Sequence, residues 1–328
     1  LIGRLKHCRD TLLPQLAALP GVSVASPEGG MYAFFRVAGQ DDSLAFAKRL
    51  GGNRIEVFKP SMTAQRSDRL SLEADLRRAL ERNEISVFFQ PIVRLQDRTI
   101  AGFESQLRWN HPRLGRLTPA DFLPLAEETG LIGDLGIFAL ERAARELAAW
   151  QQALNVDPPI YATVRIPSRL LLRHDLIADV KSVLTRSGVS RGSLKLEIPE
   201  YLMMENPEHS AQLLVRLREL GAGLVLGEFG SGYSSLSYLQ RFAFDTIKID
   251  RSFVQQTVKG SRPRMLRSMV TMALDNDMDV IAEGAESESD VIELYQIGCA
   301  YGQGPIFGQN ISPVEARKLM GASTDVAA

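Results

Sequence analysis

The chain has 328 residues, 38 basic against 39 acidic, with 45% hydrophobic side chains. This composition suits one large core of barrel size, about 250 residues, with a small addition. The even charge excludes a general electrostatic reason to bind a nucleic-acid polymer or to touch a membrane surface directly, so an anionic ligand must be held locally. Cys8 and Cys299 lie far apart without metal-ligand spacing, which argues against a disulfide framework or a zinc site and fits a reducing cytoplasm. No apolar run reaches the roughly 18–20 residues of a membrane span, and no signal peptide opens the chain. Leu1 falls in mid-pattern, so the sequence leaves a sensor or membrane segment upstream open.

In chain order, Leu16 to Val22, Pro27 to Phe34 and Asp42 to Leu50 resemble part of the small domain of fold-type I, pyridoxal-phosphate-dependent aminotransferases. The resemblance implies a small α+β extension without a complete cofactor site. Gly51 to Phe58 then resembles the last strand of a GGDEF domain, so the join near Leu50 reads as a fusion. Ser71 to Leu80 places Leu72, Leu76 and Leu80 on one face of an amphipathic linker helix. The expected division is 1–50 as the aminotransferase-like fragment, 51–84 as GGDEF-like tail and linker helix, and 85–322 as a barrel.

The barrel expectation rests on eight strands: Val87 to Val93, Thr99 to Trp109, Ile160 to Ile166, Ser193 to Ile198, Gly223 to Phe229, Thr246 to Ile249, Asp279 to Glu283 and Cys299 to Gly302. Helix starts fall between them at Thr118-Pro119, Asn206-Pro207 and Ser312-Pro313, each a capping residue followed by proline at the first helical position. Such alternation reads as an α/β fold, a TIM-type (α/β)8 barrel. Only Arg94 to Arg98 separate the first two strands, too few residues for a crossover helix. These strands should form a hairpin, leaving one strand antiparallel in a modified barrel.

The second strand alternates so that Glu104, Gln106 and Arg108 share a face. Ionisable or amide residues recur at the ends of successive strands: Glu104, Arg165, Glu197, Glu228, Lys248, Glu283 and Gln303. Side chains in that phase converge on the mouth where barrels carry their chemistry. With Phe88-Phe89-Gln90-Pro91, Leu196-Glu197-Ile198-Pro199-Glu200, Glu228-Phe229-Gly230, Ile247-Lys248-Ile249-Asp250, Ala282-Glu283-Gly284 and Gln303-Gly304, the chain resembles the EAL domain, a bacterial module that binds and often hydrolyses cyclic di-GMP.

That resemblance implies metal ligands at Glu104 and Glu197, a lysine beside the attacking water at Lys248, and further positions around the metals at Glu283 and Gln303. It implies dinucleotide contacts at Gln90 and Arg108, and it sets the turn Asp121 to Glu128, with Leu123, beside the ligand. The Ser231 to Ser235 loop is also kept. Three positions depart from the pattern. Glu104-Ser105-Gln106 replaces the signature tripeptide, Arg165 replaces a metal-binding asparagine, and Gly227-Glu228 replaces paired aspartates. Arg165 should repel a divalent ion and pair instead with Glu104 or Glu197.

The expected function is therefore a degenerate EAL domain in the bacterial cytoplasm that binds cyclic di-GMP as a receptor or regulatory module, with no cofactor. Two alternatives stand beside it: a phosphodiesterase using Mg or Mn to produce pGpG, and an interaction scaffold that no longer binds nucleotide. A homodimer or another signalling protein is the open partner class.

Overall fold

The computed structural model describes residues 22–25, 34–37, 71–154, 156–230, 241–255 and 264–324. The chain divides into one unit from Leu1 to Ala74 and another from Asp75 to Ala328. In the first, β1 (Val22–Ala25) and β2 (Phe34–Val37) pair antiparallel, Val22 opposite Val37. Most of the aminotransferase-like segments, the GGDEF-like strand Gly51 to Phe58 and the loop Ser231 to Ser235 lie outside the described residues. A helix covers residues 71–79, with Leu76 buried and Leu72 half-buried.

The second unit is built on β3 (Ile85–Arg94), β4 (Ile100–His111), β5 (Gly115–Leu117), β6 (Tyr161–Arg165), β7 (Leu194–Pro199), β8 (Gly223–Phe229), β9 (Thr246–Ile249), β10 (Asp279–Glu283) and β11 (Tyr301–Gln303). Eight of them run in the order β3-β11-β10-β9-β8-β7-β6-β4, and pairing of β3 with β4 closes the barrel. β3 is antiparallel to both neighbours, and the other barrel pairs are parallel. The hairpin follows from its short connection. Asp97 accepts hydrogen bonds from the Thr99 backbone N–H and hydroxyl, while Arg98 takes φ +62°, so the chain reverses within five residues.

One strand was not anticipated: β5 extends the sheet beyond the barrel, pairing antiparallel with β4 so that Asn110 faces Arg116. The turn before it needs Gly115 at φ +75°.

Two-residue alternation separates the layers. Phe89 and Phe103 point outward and meet Trp150 of the helix Ile132–Ala153 at 4.8 and 5.0 Å between ring centroids. All three are fully buried. The helices begin where the capping signals place them. Thr118 N–H donates to Asp121 before Pro119–Thr129, Asn206 accepts from the His209 N–H at the start of Pro207–Leu220, and Ser312 exchanges bonds with Glu315 before Pro313–Thr324. Asp121 to Glu128, expected as a turn, lies within the first of these helices because its proline-led start carries on to Gly130. Among the described residues no helix is long and apolar enough to cross a membrane.

Candidate functional site

The inward phase of the strands brings most of the expected residues together at the barrel's C-terminal mouth. Lys248 on β9 is 4% exposed, and its Nζ donates to Glu104 Oε2 at 2.6 Å and Glu197 Oε2 at 3.2 Å, with Glu283 Oε2 at 3.8 Å. Gln303 Nε2 donates to Glu104 Oε2 at 2.5 Å and to Gln90 Oε1 at 3.1 Å, and Gln106 Nε2 reaches the same Gln90 oxygen at 3.4 Å. One ammonium and one amide thus hold an acidic cluster contributed by three strands, β4, β7 and β10.

The carboxyls respond in opposite directions. Burial pushes the Glu104 carboxyl up, but Lys248 and the Gln303 amide overcome it and hold the group below its ordinary value. Glu197, farther from the ammonium, is raised by burial and by Glu104, and Glu283 is raised mainly by burial. Burial opposes the charge on Lys248, yet Glu104, Glu197 and Glu283 raise its pKa. A proton entering this cluster therefore goes to Glu197 or Glu283 before Glu104.

Arg165 does not pair with Glu104 or Glu197. Its Nη2 meets Glu228 Oε1 at 2.5 Å on the rim. Lys248 already occupies the interior partners, and Glu228 is carried toward the guanidinium by a break in the β8–β9 register between Leu226 and Phe229. Glu228 adopts φ +54° there, a left-handed conformation that costs a non-glycine residue about 1–2 kcal/mol. At Gly227 an added Cβ would lie 2.9 Å from Glu197 Cγ and 3.0 Å from its Oε1. The Glu197 side chain occupies the room an aspartate would need.

A two-metal centre requires free hard oxygen donors converging on each ion. Here Gly227 offers no side chain, Arg165 brings a cation in place of an oxygen donor, and one oxygen each of Glu104, Glu197 and Glu228 is taken by Lys248 or Arg165, so the donors as arranged fall short of such a pair. Among the described residues no three His, Cys, Asp or Glu form a metal-holding group.

Arg108 lies four residues along β4 from Glu104, outside the acidic cluster. It is buried, its Nη1 donates to Leu107 O at 2.8 Å and its Nη2 to Gln106 Oε1 at 3.3 Å. Burial, then the charge of Arg116, lowers its pKa. Arg116, whose guanidinium sits 4.9 Å from the Phe88 ring centroid, was missed in the sequence because its strand was missed. The turn Pro112 to Gly115 was the available signal. Glu200 was also passed over, although its Oε2 accepts the Gly230 N–H at 3.0 Å and ties the end of β8 to the helix Glu200–Glu205.

A cavity of about 360 Å³ opens beside the cluster, lined by Glu104, Gln106, Leu123, Glu127, Arg165 and Glu283 among others. Gln90, Arg108 and Gln303 do not line it.

The described geometry agrees with three kinds of likeness. Residues 73–310 match the EAL domain. A signaling protein of Caulobacter vibrioides is 36% identical over 93% of this chain, and a bifunctional diguanylate cyclase/cyclic di-GMP phosphodiesterase, MucR of Pseudomonas aeruginosa, is 34% identical over 85%. This chain spans 37% and 40% of the lengths of those two relatives. Among solved structures, the PaMucR phosphodiesterase in complex with c-di-GMP superposes with TM-score 0.71 at 32% identity, over 75% of this chain and 99% of that one. The FimX EAL domain from Pseudomonas aeruginosa bound to c-di-GMP gives 0.64 at 26%, over 71% and 93%. With the hairpin-opened barrel, the in-phase mouth residues and these matches in agreement, the chain belongs to the EAL domain family.

Proposed function

We propose that this EAL domain binds cyclic di-GMP as a receptor or regulatory module and does not hydrolyse it. The observation that carries the reading is the internal neutralisation of the mouth: Lys248 holds Glu104 and Glu197, and Arg165 holds Glu228. The cations beside these carboxylates already neutralise much of the charge that would draw in divalent ions, and Arg165 and Gly227 stand where the family pattern supplies two further oxygen ligands. Glu104, Glu197, Glu228, Lys248 and Glu283 are then remnants of a catalytic arrangement; of the ligand-binding positions the resemblance implies, Leu123 lines the cavity, while Gln90, Arg108 and Gln303 stand behind or beside it. Arg108 and Arg116 place two mutually repelling cations at one edge of the mouth, an arrangement a phosphate would relieve. The cavity beside Leu123 has the size range of small-molecule sites, about 300–1,000 Å³.

The full chain titrated calorimetrically with cyclic di-GMP should give a saturable heat that magnesium leaves unchanged. Arg108→Ala should weaken it by about 1.5–3 kcal/mol, the range for a charge-assisted hydrogen bond. A second reading, a phosphodiesterase using Mg or Mn, is favoured by the convergence of Glu104, Glu197, Lys248 and Glu283 on one point. Chromatographic appearance of pGpG with either metal would establish it in place of the receptor reading. Absence of any binding heat would leave the interaction scaffold.

A further inference from the structure

A cavity of about 540 Å³ lies at the opposite, N-terminal pole of the barrel. The interior of barrels of this type is filled by layers of side chains, and this cavity opens below them. Here the floor is built from Tyr161, Lys195, Asp279 and Tyr301, residues at the starts of β6, β7, β10 and β11. Two glycines let long side chains lie across it. A Cβ at Gly102 would meet the Tyr161 carbonyl at 2.4 Å, and one at Gly223 would meet Lys195 Cγ at 2.7 Å.

Lys195 is the unusual member. Its Nζ sits 4.7 Å from the Tyr161 ring centroid, and its one hydrogen bond among the described residues goes to Thr246 Oγ1 at 2.8 Å. No carboxylate among the described residues lies within ion-pair distance, so two of its three donors are open. The Tyr161 hydroxyl is buried and also lacks a partner. The other cations of the pocket are engaged: Arg94 with Asp97 at 3.6 Å, and Arg191 with the carbonyls of Arg218 and Glu219 at 3.1 Å each. Leu154, Val156, Pro158, Pro159 and Ile160 supply an apolar wall.

We propose that this floor is a second ligand site, taking a small organic monoanion whose carboxylate meets Lys195 and the Tyr161 hydroxyl and whose compact apolar body lies on the wall of Leu154, Val156, Pro158, Pro159 and Ile160. One open cation calls for one negative charge, and Asp97, Asp157 and Asp279 around the same cavity repel a multiply charged ligand. Burial lowers the pKa of Lys195, and Asp279 and Asp245 oppose that shift only in part. An anion against the ammonium would complete what those aspartates leave undone.

The test is ligand-observed NMR titration of the full chain with benzoate, and with benzamide as its neutral isostere. Benzoate should saturate, with benzamide about tenfold weaker or worse, the ratio one charge-assisted hydrogen bond supplies. Lys195→Met should abolish that preference, and Tyr161→Phe, which keeps the ring, should weaken benzoate severalfold and serves if the first variant fails to fold. Equal binding of the two probes, no saturation, or benzoate affinity untouched by Tyr161→Phe would overturn the proposal.

Discussion

The two poles of the barrel each place a lysine in the inward phase of a strand, and the two lysines are in opposite electrostatic states. At the mouth, Lys248 has three carboxylates within 3.8 Å and its pKa is raised. At the floor, Lys195 has a hydroxyl and an aromatic face, and burial lowers its pKa. Strand phase delivered both side chains to the interior, but only the surrounding residue types decided whether the charge became a structural keystone or an open donor. Buried charges are tolerated when paired, and the mouth is paired from within.

The largest expected effect comes from removing the mouth's keystone. Lys248→Met leaves Glu104, Glu197 and Glu283 together without their central countercharge, and breaking a buried pair from one side costs about 3–5 kcal/mol. Urea unfolding measures it. The pH dependence carries the sign. In the parent, Glu104 is held below its ordinary value of 4.5, so its contribution is present above that value and is lost as pH falls through the depressed one. Without Lys248, burial and mutual repulsion raise all three carboxyls. A group raised on folding contributes stability that is full below its unfolded value and lost as pH rises through the folded one. The variant should therefore be better folded at about pH 5 than at pH 7. A variant as stable as the parent at both would break the contrast between the poles.

A middle-sized effect is expected at Gly227. Gly227→Ala sets a methyl within 2.9–3.3 Å of three Glu197 side-chain atoms while Lys248 fixes that carboxylate from the other side. Overpacking of this kind costs about 1–3 kcal/mol. The same clash bears on any attempt to restore a metal site. Gly227→Asp with Arg165→Asn and Glu228→Asp must also displace Glu197, so the ligand set cannot be rebuilt residue by residue. An unchanged unfolding midpoint in Gly227→Ala would show that Glu197 has room to move.

Much of this was legible in the sequence because it depends on local rules. Period-two alternation placed Glu104, Glu197, Lys248, Glu283 and Gln303 in one phase, and the short Arg94 to Arg98 connection dictated the antiparallel opening strand. Proline at the first helical position located three helix starts. What escaped depends on which of several reachable partners wins. Arg165 could have reached inward or along the rim, and the bulge that lifts Glu228 decided it. β5 is only three residues long, too short for a periodic signal, and Arg116 went unseen with it. The floor escaped for another reason: Lys195 reads as an ordinary polar position of an alternating strand, and nothing local reveals that its neighbours from other strands are glycine, tyrosine and threonine.

The smallest effect is expected from Arg165→Asn, although the sequence alone assigns that guanidinium the task of neutralising Glu104 and Glu197. Its partner is Glu228, and the two side chains are 48% and 31% exposed. A pair this open to solvent is screened, and breaking it costs about 0–1 kcal/mol. The interior carboxylates keep Lys248 as their contact partner and lose only the longer-range attraction of the Arg165 charge. Combining Arg165→Asn with Lys248→Met sharpens the point. Were both cations serving one cluster, the second removal would cost far more than the first. With separate contact partners and only that longer-range attraction shared, the two losses should add to within about 1 kcal/mol. Unfolding midpoints of the two single variants and the double variant measure the coupling. A loss above about 2 kcal/mol from Arg165→Asn alone, more than an exposed pair supplies, would show that the rim arginine shares the work here given to Lys248.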